Sequence, residues 1–88
     1  MLISAQVSVY PLRQVSLSPA IGNVMRVFRE YGLEVEEGPM STMISGEDES
    51  LFSALKEAFR VSAEQGDVVM TVTISNACLV PEPGTPAS

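Results

Sequence analysis

The apolar residues keep a spacing of two near both ends of the chain and a helical spacing in between. That change of period constrains the fold more than any single residue does. In residues 2–10, LISAQVSVY, Ile3, Ala5, Val7 and Val9 alternate with Ser4, Gln6, Ser8 and Tyr10. This predicts a strand with one apolar and one polar face. Pro11 is expected to end it, because proline has no N–H to give to a ladder. Residues 68–75, VVMTVTIS, repeat the pattern, with Val68, Met70, Val72 and Ile74 on one side and Val69, Thr71, Thr73 and Ser75 on the other.

Between these strands lie two helical stripes and a turn. Ser18-Pro19 reads as an N-cap and first helical position, and Ile21, Val24, Met25 and Phe28 follow on one face. Gly32 is the expected residue just past the C-terminus of this helix. Residues 33–37 and 40–45 read as two short strands joined at Gly38-Pro39, a hairpin. A second helix is expected to open at Gly46-Glu47-Asp48-Glu49, where the acids suit the positive end of a helix dipole. Its predicted apolar stripe is Leu51, Phe52, Leu55, Ala58 and Phe59, and Gly66 ends it.

The order β-α-β-β-α-β with right-handed crossovers predicts a ferredoxin-like α+β sandwich, a four-stranded antiparallel sheet with both helices on one face. The folded domain is read over residues 1–76. Residues 77–88 contain the proline-rich LVPEPGTPAS and are expected to form a mobile tail. A chain of 88 residues is one domain, and one this small buries only roughly 60% of its unfolded surface. A second copy is therefore a natural place to bury more.

Charge and residue inventory exclude several functions. With 5 basic and 11 acidic residues the net charge is −6, the wrong sign for nucleic acid or an anionic membrane. No run is long enough to span a bilayer. The single Cys78 excludes a disulfide framework, and a reducing cytoplasmic location is expected. There is no histidine, so the usual general base and the Ser-His and Cys-His nucleophile systems are missing. Glu34, Glu36 and Glu37, and Glu47, Asp48 and Glu49, lack the spacing of a calcium loop. No metal, cofactor or enzymatic activity is expected.

What remains is the helix-free face of the sheet. The polar, uncharged Gln6, Ser8 and Tyr10, with Thr42 from the hairpin, suit a flat heteroaromatic ligand: the ring of Tyr10 stacks and the amide and hydroxyls pair with ring nitrogens and an exocyclic amine. Glu36 is a possible charge partner for a cationic ligand. The same residues also suit a sheet-to-sheet oligomer interface, and spacing does not choose between the two. Nor does periodicity fix the side to which Thr42 points.

The stretches AQVSVYPL, GLEVEEGPMSTMISGE and VVMTVTI resemble the thiamine-binding, YkoF-like family of small ferredoxin-like proteins, over roughly residues 2–75. The most specific piece is Gly38-Pro39-Met40-Ser41-Thr42 followed by Ile44 and Gly46. The resemblance implies a homodimer or homotetramer associating through open sheet faces. It also implies non-catalytic binding of thiamine or its hydroxymethylpyrimidine moiety in vitamin supply or salvage, with Gln6, Ser8, Tyr10 and Thr42 at the matching positions. Past residue 75 this chain departs from the family's pattern. Two other readings stay open: an amino-acid-sensing ACT-like module, against which the glycine-free loop PLRQVSLSP counts, and a structural oligomerisation unit without a ligand.

Overall fold

The computed structural model describes residues 1–12 and 18–77, with side chains for all of these except 18–20. The elements are β1 (Leu2–Pro11), α1 (Ser18–Glu30), β2 (Glu34–Glu37), β3 (Thr42–Glu47), α2 (Asp48–Ala63) and β4 (Val68–Ser75). The strands form one antiparallel sheet of order β2-β3-β1-β4, the ferredoxin-like arrangement. Except for Ala77, the tail expected over residues 77–88 lies outside the described residues, as does Cys78.

One side of the sheet and the facing stripes of both helices make the core. Ile3, Ala5, Val7 and Ile44 from the sheet meet Val24, Met25, Val27 and Phe28 from α1 and Leu51, Ala54 and Ala58 from α2. The end of α1 shows how sequence sets this junction. Gly32 has φ 74°, a conformation that glycine adopts without a Cβ penalty. Its N–H donates to the Arg29 carbonyl and that of Leu33 to the Phe28 carbonyl, the paired bonds of a Schellman motif. The accompanying apolar contact places Leu33 against the core beside the fully buried Phe28.

Pro11 ends β1 as expected, and three other sequence expectations shift. Pro11 is itself still paired, opposite Val68, and the Leu12 N–H donates to the Asp67 carbonyl at 2.8 Å. Successive N–H groups of a strand alternate in direction, so the Pro11 nitrogen points away from β4, to the side where β3 pairing has already stopped at Val7. No ladder bond is lost. The second hairpin strand starts at Thr42 rather than Met40 and runs through Gly46 and Glu47, so α2 begins at Asp48. Gly46 is a strand residue, and a Cβ there would stand 2.6 Å from Leu33 Cδ2. Its place in the sequence records the close approach of Leu33, not a helix cap. Finally, Phe52 and Phe59 are 53% and 45% exposed, while Ala54 and Ser62 complete the buried stripe with Leu51 and Ala58. A helix over a flat sheet buries a narrow arc, and small residues let α2 sit close.

Candidate functional site

The register fixes which side each candidate residue occupies, since paired residues share a face and neighbours alternate. Gln6 lies opposite Met43 and Thr73, Ser8 opposite Thr71, and Tyr10 opposite Val69. All belong to the helix-free face. Glu36 is on that face too, opposite Met43 on the edge strand. The face is not wholly uncharged, because β2 brings Glu34 and Glu36 to its rim. At its centre Ser4, only 3% exposed, shares a 3.0 Å hydroxyl contact with Ser45.

Thr42 points the other way. It lies opposite Val7 and two residues from Ile44, both core residues, and its Oγ1 donates to Met25 Sδ at 3.7 Å. The structure therefore does not gather Gln6, Ser8, Tyr10 and Thr42 on one face. What connects Gln6, Ser8 and Thr42 is the hairpin loop. Gln6 Nε2 donates to Ser41 Oγ at 3.0 Å, and Ser8 Oγ donates to the Met40 carbonyl at 3.3 Å. Gly38 closes the loop by donating its N–H to the Ser41 carbonyl at 2.8 Å. A Cβ on Gly38 would meet that carbonyl oxygen at 2.9 Å.

Between this loop, the end of β1 and the first turns of α1 lies a cleft of about 210 Å³. Its floor is apolar, with Val7, Val24, Met25 and Phe28, and the polar side chains among its described lining residues are Ser8, Ser41 and Thr42. Among the described residues no charged side chain lines it. The carboxylate that shares Thr42's side of the sheet is Glu37, opposite it in register, and Arg29 holds that carboxylate at 2.9 Å. Tyr10 and Glu36 are not part of the cleft. Sequence reading missed Ser41, whose signal lay in the Gly38–Ser41 turn, and Met25, which helical spacing assigned to core alone.

Electrostatic perturbation lies elsewhere. The Met1 ammonium is held above its usual range, first by its hydrogen bond to the Glu47 carboxylate at 2.9 Å and next by Asp48 at 3.1 Å. The same ammonium holds Asp48 below the usual carboxylate range. These groups close the β3–α2 junction, where the Asp48 N–H also donates to the Met1 carbonyl. Among the described residues no cluster of acids or cysteines is arranged to hold a metal, no buried side-chain polar atom lacks a partner, and no helix is long and apolar enough to cross a membrane.

Relatives extend this picture. The UPF0045 protein MJ1052 of Methanocaldococcus jannaschii is 31% identical over 70 residues, 78% of this chain and 70% of that protein. The crystal structure of MJ1052 superposes with a TM-score of 0.79 at 29% identity, covering 88% of this chain and 81% of that one. Protein SP2199 of Streptococcus pneumoniae gives 0.78 at 27% identity, covering 94% and 90%. A Thermotoga maritima protein, provisionally described as a thiamine biosynthesis/salvage protein, shares the fold with a TM-score of 0.74 at 22% identity, covering 84% and 82%. The family model for thiamine-binding proteins matches residues 5–77, a span that runs from β1 through β4 and includes both sides of the cleft. On that match and on the identity with MJ1052, the chain belongs to the thiamine-binding protein family.

Proposed function

We propose that this protein binds thiamine or its hydroxymethylpyrimidine moiety in the cleft between the hairpin loop and α1, without catalysing a reaction on it, in cytoplasmic vitamin supply or salvage. The observation that carries the reading is the cleft's chemistry: an apolar floor, three hydroxyl-bearing side chains and, among the described residues, no charged one, in a chain of the thiamine-binding family. A neutral aminopyrimidine matches it, because its ring is flat and apolar while its nitrogens and amine need a few well-placed donors and acceptors. Thr42 and Ser8 are the proposed hydrogen-bonding groups, and Gln6 positions the loop through Ser41. Ligand sites commonly enclose about 300–1,000 Å³, so a cleft of about 210 Å³ takes one ring and leaves a second outside.

The helix-free face is the proposed surface for self-association into a homodimer or homotetramer. It exposes Leu2, Tyr10, Met43 and Val69, and Tyr10 serves this contact rather than ring stacking. Titration calorimetry with thiamine, hydroxymethylpyrimidine, thiamine phosphate and a panel of amino acids tests the reading. Heat from the first two supports it. Heat from an amino acid alone supports a sensor module, and none from any compound leaves a structural unit.

A further inference from the structure

A hydroxyl has one proton and two lone pairs, so a bond already made decides what it offers next. The three hydroxyl-bearing side chains of the cleft are committed in different ways. Ser8 Oγ gives its proton to the Met40 carbonyl at 3.3 Å, and a carbonyl only accepts. What Ser8 turns to a ligand is therefore lone pairs. Ser41 Oγ is committed in the opposite sense, because it accepts from Gln6 Nε2 at 3.0 Å. Among the described residues no acceptor takes its own proton, so Ser41 keeps a proton to donate. Thr42 gives its proton only to Met25 Sδ at 3.7 Å, a weak acceptor, and is free to serve in either sense.

The hairpin loop keeps the two serines together. Met40 precedes Ser41, so the bonds from Ser8 and Gln6 reach adjacent residues of one turn. The Gly38 N–H closes that turn on the Ser41 carbonyl, and both serines line the cleft. Gln6 itself is not among the described lining residues. It is exposed on the helix-free face, opposite Met43 and Thr73. Its amide acts on the cleft through Ser41.

We propose that Gln6 determines specificity from the other face of the sheet: it holds Ser41 as a donor beside Ser8 as an acceptor, and this pair selects a 4-aminopyrimidine over its 4-oxo counterpart. The inference rests on the cleft being the ligand site. In the aminopyrimidine a ring nitrogen with a lone pair stands beside an amine with protons, which matches the Ser41 proton and the Ser8 lone pairs. In the oxo form the ring nitrogen carries a proton and the exocyclic oxygen accepts, so both contacts are mismatched. Turning the ring over would restore the match. In thiamine this is prevented, because the second ring hangs from the carbon next to the amine-bearing one and the cleft of about 210 Å³ takes one ring only. That carbon must face the mouth, which fixes the order of the polar edge.

The test is titration calorimetry of thiamine and its 4-oxo counterpart on the wild type, Gln6→Glu, Ser41→Ala, the double variant and Thr42→Val, each checked for folding by circular dichroism. The wild type should prefer thiamine by at least about tenfold, the scale of one mispaired hydrogen bond. A carboxylate at position 6 only accepts, so Ser41 turns its proton to it and offers lone pairs to the ligand. Each ligand then has one matched and one mismatched contact, and the two affinities should come within about threefold of each other. In the Ser41→Ala background Gln6→Glu should leave the ratio unchanged, because its effect passes through that hydroxyl. A Gln6 that merely supports the loop would lower both affinities alike and leave the ratio as in the wild type, which overturns the proposal. So does a wild type without preference, or a Gln6→Glu effect on the ratio that survives in Ser41→Ala. Thr42→Val separates the two levels of failure. If it weakens thiamine while the ratio ignores Gln6, the cleft stands as the site and the polarity assignment falls; if thiamine binding is absent or indifferent to Thr42→Val, the cleft reading falls and this inference with it.

Discussion

Replacing Thr42 by valine separates the cleft from the helix-free face as the ligand site, because Thr42 is on the core side of β3 and Tyr10 is on the other side of the sheet. The change removes one hydroxyl and keeps the branched shape. Among the described residues that hydroxyl donates to a thioether, Met25 Sδ at 3.7 Å, a weak acceptor. Its net contribution lies at the low end of the roughly 0.5–1.5 kcal/mol of a neutral hydrogen bond, and the added methyl offsets part of it. Unfolding free energy should therefore change by less than about 1 kcal/mol, or less than about 8 °C in melting temperature. If Thr42 hydrogen-bonds the ligand, the same contribution appears in affinity as about a 2- to 13-fold loss for hydroxymethylpyrimidine. Calorimetry on folded Thr42→Val and Tyr10→Ala proteins reads both. A weakened Thr42→Val beside an unchanged Tyr10→Ala places the ring in the cleft. Full affinity in folded Thr42→Val with loss in Tyr10→Ala would refute the placement.

Three further outcomes follow from the packing and the charges. Gly46→Ala should destabilise by about 1–2 kcal/mol, the strain of displacing buried Leu33 less the chain-entropy gain, and denaturant unfolding should show that loss shrinking in a Leu33→Ala background. Phe28→Ala empties the centre of the core and should cost about 3–5 kcal/mol, most of the stability of a small domain, which urea titration measures. Because the Met1 ammonium depresses Asp48, the Asp48 contribution is present above the unfolded carboxylate pKa and lost as pH falls through the lower folded value. The raised Met1 group contributes below the usual amino range and loses that contribution as pH rises through its folded value. Acetylating Met1 should remove both dependences from a melting-temperature profile against pH.

The topology was legible because each element carried its own period: alternation in LISAQVSVY and VVMTVTIS, a helical stripe ending at Gly32, and a Gly-Pro turn between. Boundaries failed where tertiary contact overrode local signals. Gly46 looks like punctuation until Leu33 is packed over it, and Phe52 and Phe59 look like core until α2 is laid on a flat sheet by Ala54 and Ala58. The site was half legible. Gln6, Ser8 and Thr42 do converge on one hairpin loop, but they reach it from opposite sides of the sheet. The face that Thr42 takes depends on where β3 begins, and a two-residue uncertainty in a short strand beside a turn leaves that unsettled. Ser41 and Met25 enter the cleft only through the folding of the loop against α1, a contact no periodicity encodes.

The central claim is where a pyrimidine binds, and a titration of the isotope-labelled protein with hydroxymethylpyrimidine, followed by amide and methyl NMR, tests it most directly. The account predicts saturable shifts at Ser8, Ser41, Thr42 and the Met25 methyl, with Thr71 and Thr73 on the helix-free face unmoved. Shifts confined to Tyr10, Thr71 and Thr73, or none at millimolar ligand, would contradict it.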